Sequence, residues 1–290
     1  MLYSYWLAIS GITIQLETDH PIVENEEFQP FRLKRTTAEI RAVYYGTDTF
    51  LPISENIIAA EHSFKIVENK DGNLKKYFYE RHDDPQYYAS ATYDWANGRV
   101  YVDYLNSYNR CVSEMQNCFY LLNFESILLQ RNKLCFHASC IETSIGGILF
   151  SGVSGIGKST QADLWCKYRG ARQINGDRPI LSKENAQWTA WGSPYAGSSK
   201  VHVNANCPIK AIILLKQAPE CSIHKLSSGE AFRGIWSGLT VHTWEKSFVE
   251  KASALAIDLI SSVPVFAFSC TPDEQAVDYL EQALQKEFCL

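Results

Sequence analysis

The sequence lacks several features that would assign it to a common protein class. It has nine cysteines but no C-x-x-C pair, which excludes zinc sites and redox motifs built on such pairs. It has no run of about eighteen apolar residues, so we expect no membrane-spanning helix. The first residues lack the basic segment of a secretory signal. We therefore expect a cytoplasmic protein with reduced thiols.

Positive charge is also scarce. The 290 residues include 27 Lys and Arg against 32 Asp and Glu, for a formal net charge of -5. Nucleic-acid binding needs basic surface that neutralises phosphates, so we expect no nucleic-acid partner and no membrane partner. Apolar residues make up 46% of the chain, enough for a sizeable core. The oligomeric state stays open, with a homo-oligomer among the options.

The first part of the chain is predicted to be β-rich. Residues 5–16 and 41–45 are dominated by β-branched, aromatic and other apolar side chains, which favour strands. Asp71-Gly72-Asn73 and Asn97-Gly98 each separate two such segments and predict hairpins, because Asn-Gly is the preferred pair for turns with positive φ at both central residues. We expect a β-rich N-terminal region over residues 1–110 that contributes to substrate binding or to assembly.

The second part of the chain changes pattern. Apolar residues at helical spacing predict a connecting helix over residues 111–133. From residue 134 the pattern alternates between strands and helices, with a predicted strand over 134–142. Capping boxes at 227–230 and 271–274 each predict the start of a helix. The fold class predicted for residues 134–290 is mixed α/β, following the β-rich N-terminal region.

One stretch predicts a phosphate-binding loop, known as a P-loop or Walker A motif. GVSGIGKST fits G-x-x-x-x-G-K-[ST] without a mismatch, between a predicted strand and a predicted helix. Its glycines let backbone N–H groups converge on an anion, and the helix adds its positive N-terminal end. Its lysine would reach the β- and γ-phosphates, and its first hydroxyl would bind Mg²⁺. The loop consists of Gly152, Val153, Ser154, Gly155, Ile156, Gly157, Lys158, Ser159 and Thr160. We expect ATP and Mg²⁺ as cofactors.

The position of a carboxylate separates this chain from common nucleotide hydrolases. Such enzymes usually carry an apolar strand that ends in aspartate, but here residues 211–215 are followed by Lys216-Gln217. The acid occurs earlier, at Asp177, which follows a predicted strand at 171–175. We therefore expect Asp177 beside the phosphate loop.

These motifs together resemble a known family. His137 in FHAS, the phosphate loop and the Asp177-Arg178 corner are similar to the HPr kinase/phosphorylase group, which shares its nucleotide-binding core with ATP-dependent phosphoenolpyruvate carboxykinase. The resemblance covers about residues 134–285. The segments HASCIE, GVSGIGKSTQADLW, INGDRPIL and GSPYAGSS look closer to HPr-kinase-like proteins of bacterial peptide-modification clusters, some of which phosphorylate serine on a ribosomal peptide.

The resemblance implies roles for individual residues. Lys158 would contact the phosphates, and His137 would face them. Asp177 would act as general base, as metal ligand or as both, and Arg178 would clamp the transferring group. The family places two adjacent acids before this arginine, whereas the first of the two positions here is Gly176. Whether a reverse phosphorylase reaction occurs therefore stays open.

The predicted function is phosphoryl transfer to a hydroxyl, that of serine in a peptide or protein. Two alternatives stay open: a kinase acting on a small hydroxy metabolite or amino acid, and a non-catalytic binding module gated by nucleotide. The base preference is open. Residues 192–200 are either a second anion or substrate loop or an ordinary connector. Trp191, Trp236 and Trp244 pack in the core or against an adenine.

Overall fold

A computed structural model describes residues 2–53, 56–68, 74–81, 84 and 86–289. The chain divides into two compact units, Met1–Phe124 and Glu125–Leu290, called here the N-terminal and C-terminal units. Each contains one large mixed sheet, and the predicted mixed α/β class is confirmed. None of the helices within the described ranges has the length and apolar character needed to cross a membrane.

The N-terminal unit is built on an eight-stranded sheet. Its strands are β1 (Tyr3–Ile9), β2 (Ile12–Thr18), β3 (Ile40–Thr47), β4 (Ile57–Glu61), β5 (Phe64–Glu68), β6 (Leu74–Phe78), β7 (Ala89–Asp94) and β8 (Arg99–Leu105). Their order in the sheet is β1-β2-β3-β8-β7-β6-β5-β4. Strand β3 runs parallel to β2 and β8, and the other neighbours are antiparallel. The β-rich prediction is confirmed.

The hairpins differ in detail from the sequence prediction. Residues 5–16 form the β1–β2 hairpin rather than one strand, because Ser10 and Gly11 turn the chain with φ of 48° and 81°. In the β7–β8 hairpin only Gly98 has positive φ, since the Asp94 carboxylate accepts the N–H of Asn97 and caps a short 3₁₀ helix. Strands β5 and β6 pair as predicted. The predicted turn at 71–73 lies outside the described residues.

The predicted connecting helix is interrupted. A 3₁₀ helix (Asn106–Val112) is followed by α1 (Met115–Leu122) and α2 (Phe124–Gln130). Asn123, with φ of 56°, ends α1 in the left-handed conformation that asparagine tolerates. The hydroxyl of Tyr44 on β3 donates to the carbonyl of Cys118 at 2.8 Å and so ties α1 to the N-terminal sheet.

The C-terminal unit alternates strands and helices. Its strands are β9 (Lys133–Cys135), β10 (Ala138–Thr143), β11 (Gly146–Ser151), β12 (Arg172–Asn175), β13 (Ile180–Glu184), β14 (Gln187–Trp191), β15 (Asn206–Gln217), β16 (Ser222–Lys225) and β17 (Val265–Cys270). Its further helices are α3 (Lys158–Arg169), α4 (Ser228–Gly238), α5 (Lys246–Ser262) and α6 (Glu274–Phe288). The sheet order is β12-β10-β11-β15-β14-β13-β9, and β17 pairs with both β15 and β16.

Helices cover both faces of the C-terminal sheet. Successive side chains of a strand point to opposite faces, and β11 shows this directly. Phe150 packs in one cluster with Trp165 of α3 and Leu280 of α6. Leu149 packs in the other with Ile235 of α4, and α5 contributes to the same cluster. The resulting three layers bury the strand that leads into the phosphate loop.

Two predictions about element boundaries were wrong. Residues 134–142 form two strands, because β9 pairs with β13 whereas β10 pairs with β11 and β12, and the chain crosses between these places at Phe136-His137. Helix α6 is capped by Asp273, whose carboxylate accepts the N–H of Ala276 at 3.1 Å, rather than by Thr271. The capping box of Ser227 and Glu230 at the start of α4 is confirmed.

Candidate functional site

The phosphate loop connects the end of β11 to the start of α3. Gly152, Gly155 and Gly157 have φ of 145°, 78° and 110°, a region that disfavours any residue with a Cβ. A Cβ added at Gly155 or Gly157 would meet no atom within 4 Å, so backbone conformation rather than crowding calls for glycine there. Such a loop, followed by the N-terminus of a twelve-residue helix, is a typical anion-binding concavity.

Lys158 brings a positive charge to this concavity. The residue is only 8% exposed, and its Nζ donates to the carbonyls of Gly152 at 3.2 Å and Val153 at 3.3 Å. Burial lowers the pKa of Lys158, although the nearby Asp177 carboxylate opposes that shift. A buried ammonium is stabilised by an anionic partner, so the loop is suited electrostatically to polyphosphate.

Asp177 is held at its position by a network that the sequence did not reveal. The Oδ1 of Asn175, at the end of β12, accepts the backbone N–H groups of Asp177 at 3.0 Å and Arg178 at 2.7 Å. Asn175 is fully buried, and its Nδ2 donates to the carbonyl of Ser193 at 3.0 Å. Asparagine side chains often accept the backbone N–H two residues ahead, so Asn175 itself was the signal that could have predicted this turn. The network fixes the backbone from which the carboxylate projects.

His137 lies where the chain crosses from β9 to β10. Its backbone N–H donates to the carbonyl of Gly238, and its carbonyl accepts from the hydroxyl of Ser151, the last residue before the phosphate loop. Its Nε2 lies 3.2 Å from Oδ1 of Asp177. Burial lowers the pKa of His137, and the Lys158 ammonium lowers it further, while the Asp177 carboxylate raises it. The net effect favours the neutral imidazole.

Most of the predicted site residues line one cavity. Its volume is about 230 Å³. Its described lining residues are His137, Ser154, Gly155, Gly157, Lys158, Ser159, Thr160, Gly176, Asp177 and Ser198. The structure therefore brings the loop lysine and hydroxyls together with the histidine and the aspartate, although these residues come from separate parts of the sequence.

Some predicted residues lie outside that cavity. Its described lining does not include Gly152, Val153, Ile156 or Arg178. The Arg178 guanidinium donates from Nη1 to the Thr240 hydroxyl at 2.8 Å, and its Nε lies 3.6 Å from Oδ2 of Asp177. Arg178 thus contacts the acid from the side and is directed toward Thr240.

The loop at 192–200 packs directly on the acid. A Cβ at Gly197 would lie 2.7 Å from Cβ of Asp177, so only glycine allows this close approach. A Cβ at Gly176 would lie 1.5 Å from Oγ of Ser199. Gly176, which stands at the position of the first acid in the family that the sequence resembles, is therefore required by the contact with Ser199. Ser198, which belongs to the segment 192–200 considered from the sequence as a substrate loop or a connector, lines the cavity.

The residues present fit a magnesium-bound triphosphate. Within the described part of the chain, no group of three or more His, Cys, Asp and Glu side chains is arranged to hold a metal by itself. Mg²⁺ does not need such a group, since it is usually bound through one or two carboxylates together with phosphates and water. The Ser159 hydroxyl and the Asp177 carboxylate, lining one cavity with the loop, form a donor set of this kind.

Comparisons with known proteins give a distant structural likeness and no family. No protein-family model matches the chain, and no curated protein matches it. One solved structure to which it is similar is the HPr(Ser) kinase/phosphatase from Coxiella burnetii, at 16% sequence identity and a TM-score of 0.34. The match covers 53% of this chain and 97% of that chain. The likeness is distant, and no activity, substrate or partner follows from it.

Proposed function

We propose that the C-terminal unit is an ATP- and Mg²⁺-dependent kinase that phosphorylates a hydroxyl, that of serine in a peptide or protein. The observation that carries this proposal is the His137–Asp177 pair lining the same cavity as Lys158 and Ser159. A phosphate loop alone binds nucleotide. A carboxylate with an imidazole 3.2 Å away adds a group that can accept the proton of an incoming hydroxyl.

The loop residues bind and orient the phosphates. Backbone N–H groups of the loop and the N-terminus of α3 would contact the β- and γ-phosphates, and Lys158 would exchange its two carbonyl partners for phosphate oxygens. Ser159 and Asp177 would hold Mg²⁺. When bound, Mg²⁺ neutralises the charge that develops on the transferring group.

Asp177 accepts the proton in this proposal. A bond forms between the acceptor oxygen and the γ-phosphorus, the bond from that phosphorus to the bridging oxygen breaks, ADP leaves, and the hydroxyl proton passes to the Asp177 carboxylate. Neutral His137 donates its Nε2–H to Oδ1 of Asp177 and orients the acid. General base catalysis of this kind contributes about 10²–10⁴-fold to the rate.

Arg178 has a positioning role in this arrangement. Its guanidinium contacts Asp177 and Thr240 rather than lining the described wall of the cavity. Its Nε lies 3.6 Å from Oδ2, beside the carboxylate and opposite the oxygen that His137 approaches. We propose that Arg178 supports the acid instead of clamping the transferring phosphoryl group.

A peptide acceptor is favoured by a cavity within the N-terminal unit. This cavity has a volume of about 720 Å³, and its lining includes Tyr88, Tyr108, Tyr120, Arg81 and Arg110. Its size lies within the range of about 300–1,000 Å³ found for ligand sites. Tyrosine and arginine are among the residues enriched at protein–protein interfaces and their hot spots. We propose that this unit binds a segment of the acceptor.

Transfer of label from nucleotide distinguishes the three candidate functions. The protein is incubated with Mg²⁺ and γ-labelled ATP or GTP, together with serine-containing peptides or free hydroxy metabolites such as serine. Label recovered as phosphoserine in a peptide supports the proposal. Label on a free metabolite supports a small-molecule kinase instead. Saturable nucleotide binding without transfer to either acceptor supports a nucleotide-gated binding module.

A further inference from the structure

One wall of the cavity at Asp177 carries a serine that the proposed mechanism does not use. Ser198 belongs to a short 3₁₀ helix, Gly197–Ser199, and lines the same cavity as Asp177 and Lys158. The residue is exposed. Its hydroxyl forms no hydrogen bond within the part of the chain that the structure describes. An alcohol of the kind that a serine kinase phosphorylates is therefore already present beside the phosphate loop.

We propose that Ser198 is a self-phosphorylation site, to which the C-terminal unit transfers the γ-phosphoryl group of its own bound ATP. This inference rests on the proposed function, because it uses the same nucleotide and the same proton acceptor. A bond forms between Oγ of Ser198 and the γ-phosphorus, the bond from that phosphorus to the bridging oxygen breaks, and ADP leaves. The hydroxyl proton passes to the Asp177 carboxylate. The product is phosphoserine at residue 198.

The residues on both sides of Ser198 hold it beside the acid. A Cβ at Gly197 would lie 2.7 Å from Cβ of Asp177, and a Cβ at Gly176 would lie 1.5 Å from Oγ of Ser199. The two neighbours of Ser198 thus pack against two consecutive residues of the acid's own turn. The Ser199 hydroxyl donates to the carbonyl of Ala196 at 2.8 Å and accepts the N–H of residue 201 at 3.3 Å, which fixes the segment further.

The direction of the reaction also favours Ser198 over the other hydroxyls of the cavity. The attacking and leaving oxygens lie roughly in line on opposite sides of the transferred phosphorus. The proton acceptor must lie near the attacking oxygen, and Ser198 lies on the side of Asp177. Ser154, Ser159 and Thr160 also line the cavity, but they belong to the loop that receives the phosphates.

The size of the cavity gives Ser198 an advantage over a dissolved acceptor. Its volume of about 230 Å³ is below the range of about 300–1,000 Å³ found for ligand sites. A separate acceptor must insert its hydroxyl beside phosphates that already fill part of this space, whereas Ser198 is part of the wall. A hydroxyl held next to the reacting group also has an effective concentration far above that of an acceptor in solution.

Mapping the phosphate on the protein itself tests this inference. The full-length protein is incubated with Mg²⁺ and γ-labelled ATP without an added acceptor, and tandem mass spectrometry locates the modified residue. We expect phosphoserine at residue 198 in wild type, loss of self-labelling in Ser198→Ala, and phosphothreonine at residue 198 in Ser198→Thr. The matched control is Ser261→Ala, at an exposed serine of α5 outside the cavity, and it should be labelled like wild type.

A second measurement tests whether the transfer occurs within one molecule. Because Ser198 packs beside the acid of its own chain, the fraction of protein labelled per unit time should not depend on protein concentration. In a mixture of Asp177→Asn and Ser198→Ala proteins, neither chain should acquire phosphate. Label at residue 198 of the Asp177→Asn chain would show transfer between molecules and would overturn the inference.

The remaining outcomes distinguish this inference from the proposed function. If peptides or free serine are labelled but Ser198 is not, or if the phosphate lies on Ser154, Ser159 or Thr160, the inference is wrong and the kinase stands. If ATP binds but neither an acceptor nor the protein is labelled, both are wrong. If the Ser198 variants do not fold, the phosphate map of wild type decides, since it requires no substitution.

Discussion

Adding a single methyl group at Gly176 tests the geometry on which the site depends. The resemblance at this corner suggests that Gly176→Asp would restore a second acid. The structure predicts instead that any side chain here disrupts the site, because a Cβ at this position would lie 1.5 Å from Oγ and 2.6 Å from Cβ of Ser199. Gly176→Ala isolates this clash, since the φ of Gly176 lies outside the left-handed region and alanine adds no backbone strain.

The expected magnitude follows from those distances. Rotating the Ser199 hydroxyl relieves the contact with Oγ but not the contact with Cβ, so the backbone of one segment must shift by about 1 Å. Overpacking of this kind costs about 1–3 kcal/mol, and losing the Ser199 hydrogen bond to the carbonyl of Ala196 adds about 1 kcal/mol. Since Asp177 is the next residue, turnover should also fall on the order of 10²-fold.

Thermal unfolding and the label-transfer assay measure both effects. We expect Gly176→Ala to lower Tm by about 2–4 °C for each kcal/mol of lost unfolding free energy. Gly176→Asp should lower Tm further. Gly229→Ala is the matched control, because a Cβ there meets only the end of Arg233 at 3.7 Å. The double variant Gly176→Ala/Ser199→Gly should recover part of the loss. A Gly176→Ala protein with wild-type Tm and full turnover would refute this reasoning.

Three further predictions concern the chemistry. Asp177→Asn should reduce turnover about 10²–10⁴-fold and leave ATP affinity, measured by calorimetry, within about threefold of wild type. The control Asp163→Asn changes an exposed residue of α3 and should match wild type in both measurements. Normal turnover in Asp177→Asn would remove this acid from the mechanism. Because burial lowers the pKa of His137, kcat/KM should hold down to about pH 6.5 and fall only below it as the imidazole is protonated. His137→Gln should abolish that acid limb, and an unchanged profile would contradict the assignment. Tyr108 lines the cavity of the N-terminal unit, so Tyr108→Ala should raise KM for a peptide acceptor and leave KM for ATP unchanged in steady-state assays. If the variant and wild type have the same KM for the peptide, this cavity does not bind the acceptor.

The phosphate loop could be predicted from the sequence because the residues that form it are consecutive in the chain. Positive φ at Gly155 and Gly157 and a lysine at the start of a helix are encoded within nine positions. Asp177 could also be placed, since a short strand after α3 ends just before it. The strand-forming character of the first hundred residues was likewise visible in their composition.

The remaining features depend on contacts between distant residues. Residues 134–142 have the apolar character of one strand, and only the pairing of β9 with β13 and of β10 with β11 shows the break at His137. Helix α5 was not predicted, although Phe248, Ala252 and Ala256 recur at helical spacing and are buried. The requirement for glycine at residue 176 arises from a loop some twenty residues away and leaves no local signal.

The close contact of residues 196–199 with the acid has a consequence for protein engineering. Gly197 packs closely on Asp177 and Ser199 packs closely on Gly176, so both act as spacers, whereas Ser198 lines the cavity. Grafted variants of this segment should therefore keep the two spacers and vary Ser198 and the flanking Lys200. Within the proposed mechanism, such a library would alter acceptor preference while leaving the proton-accepting group undisturbed.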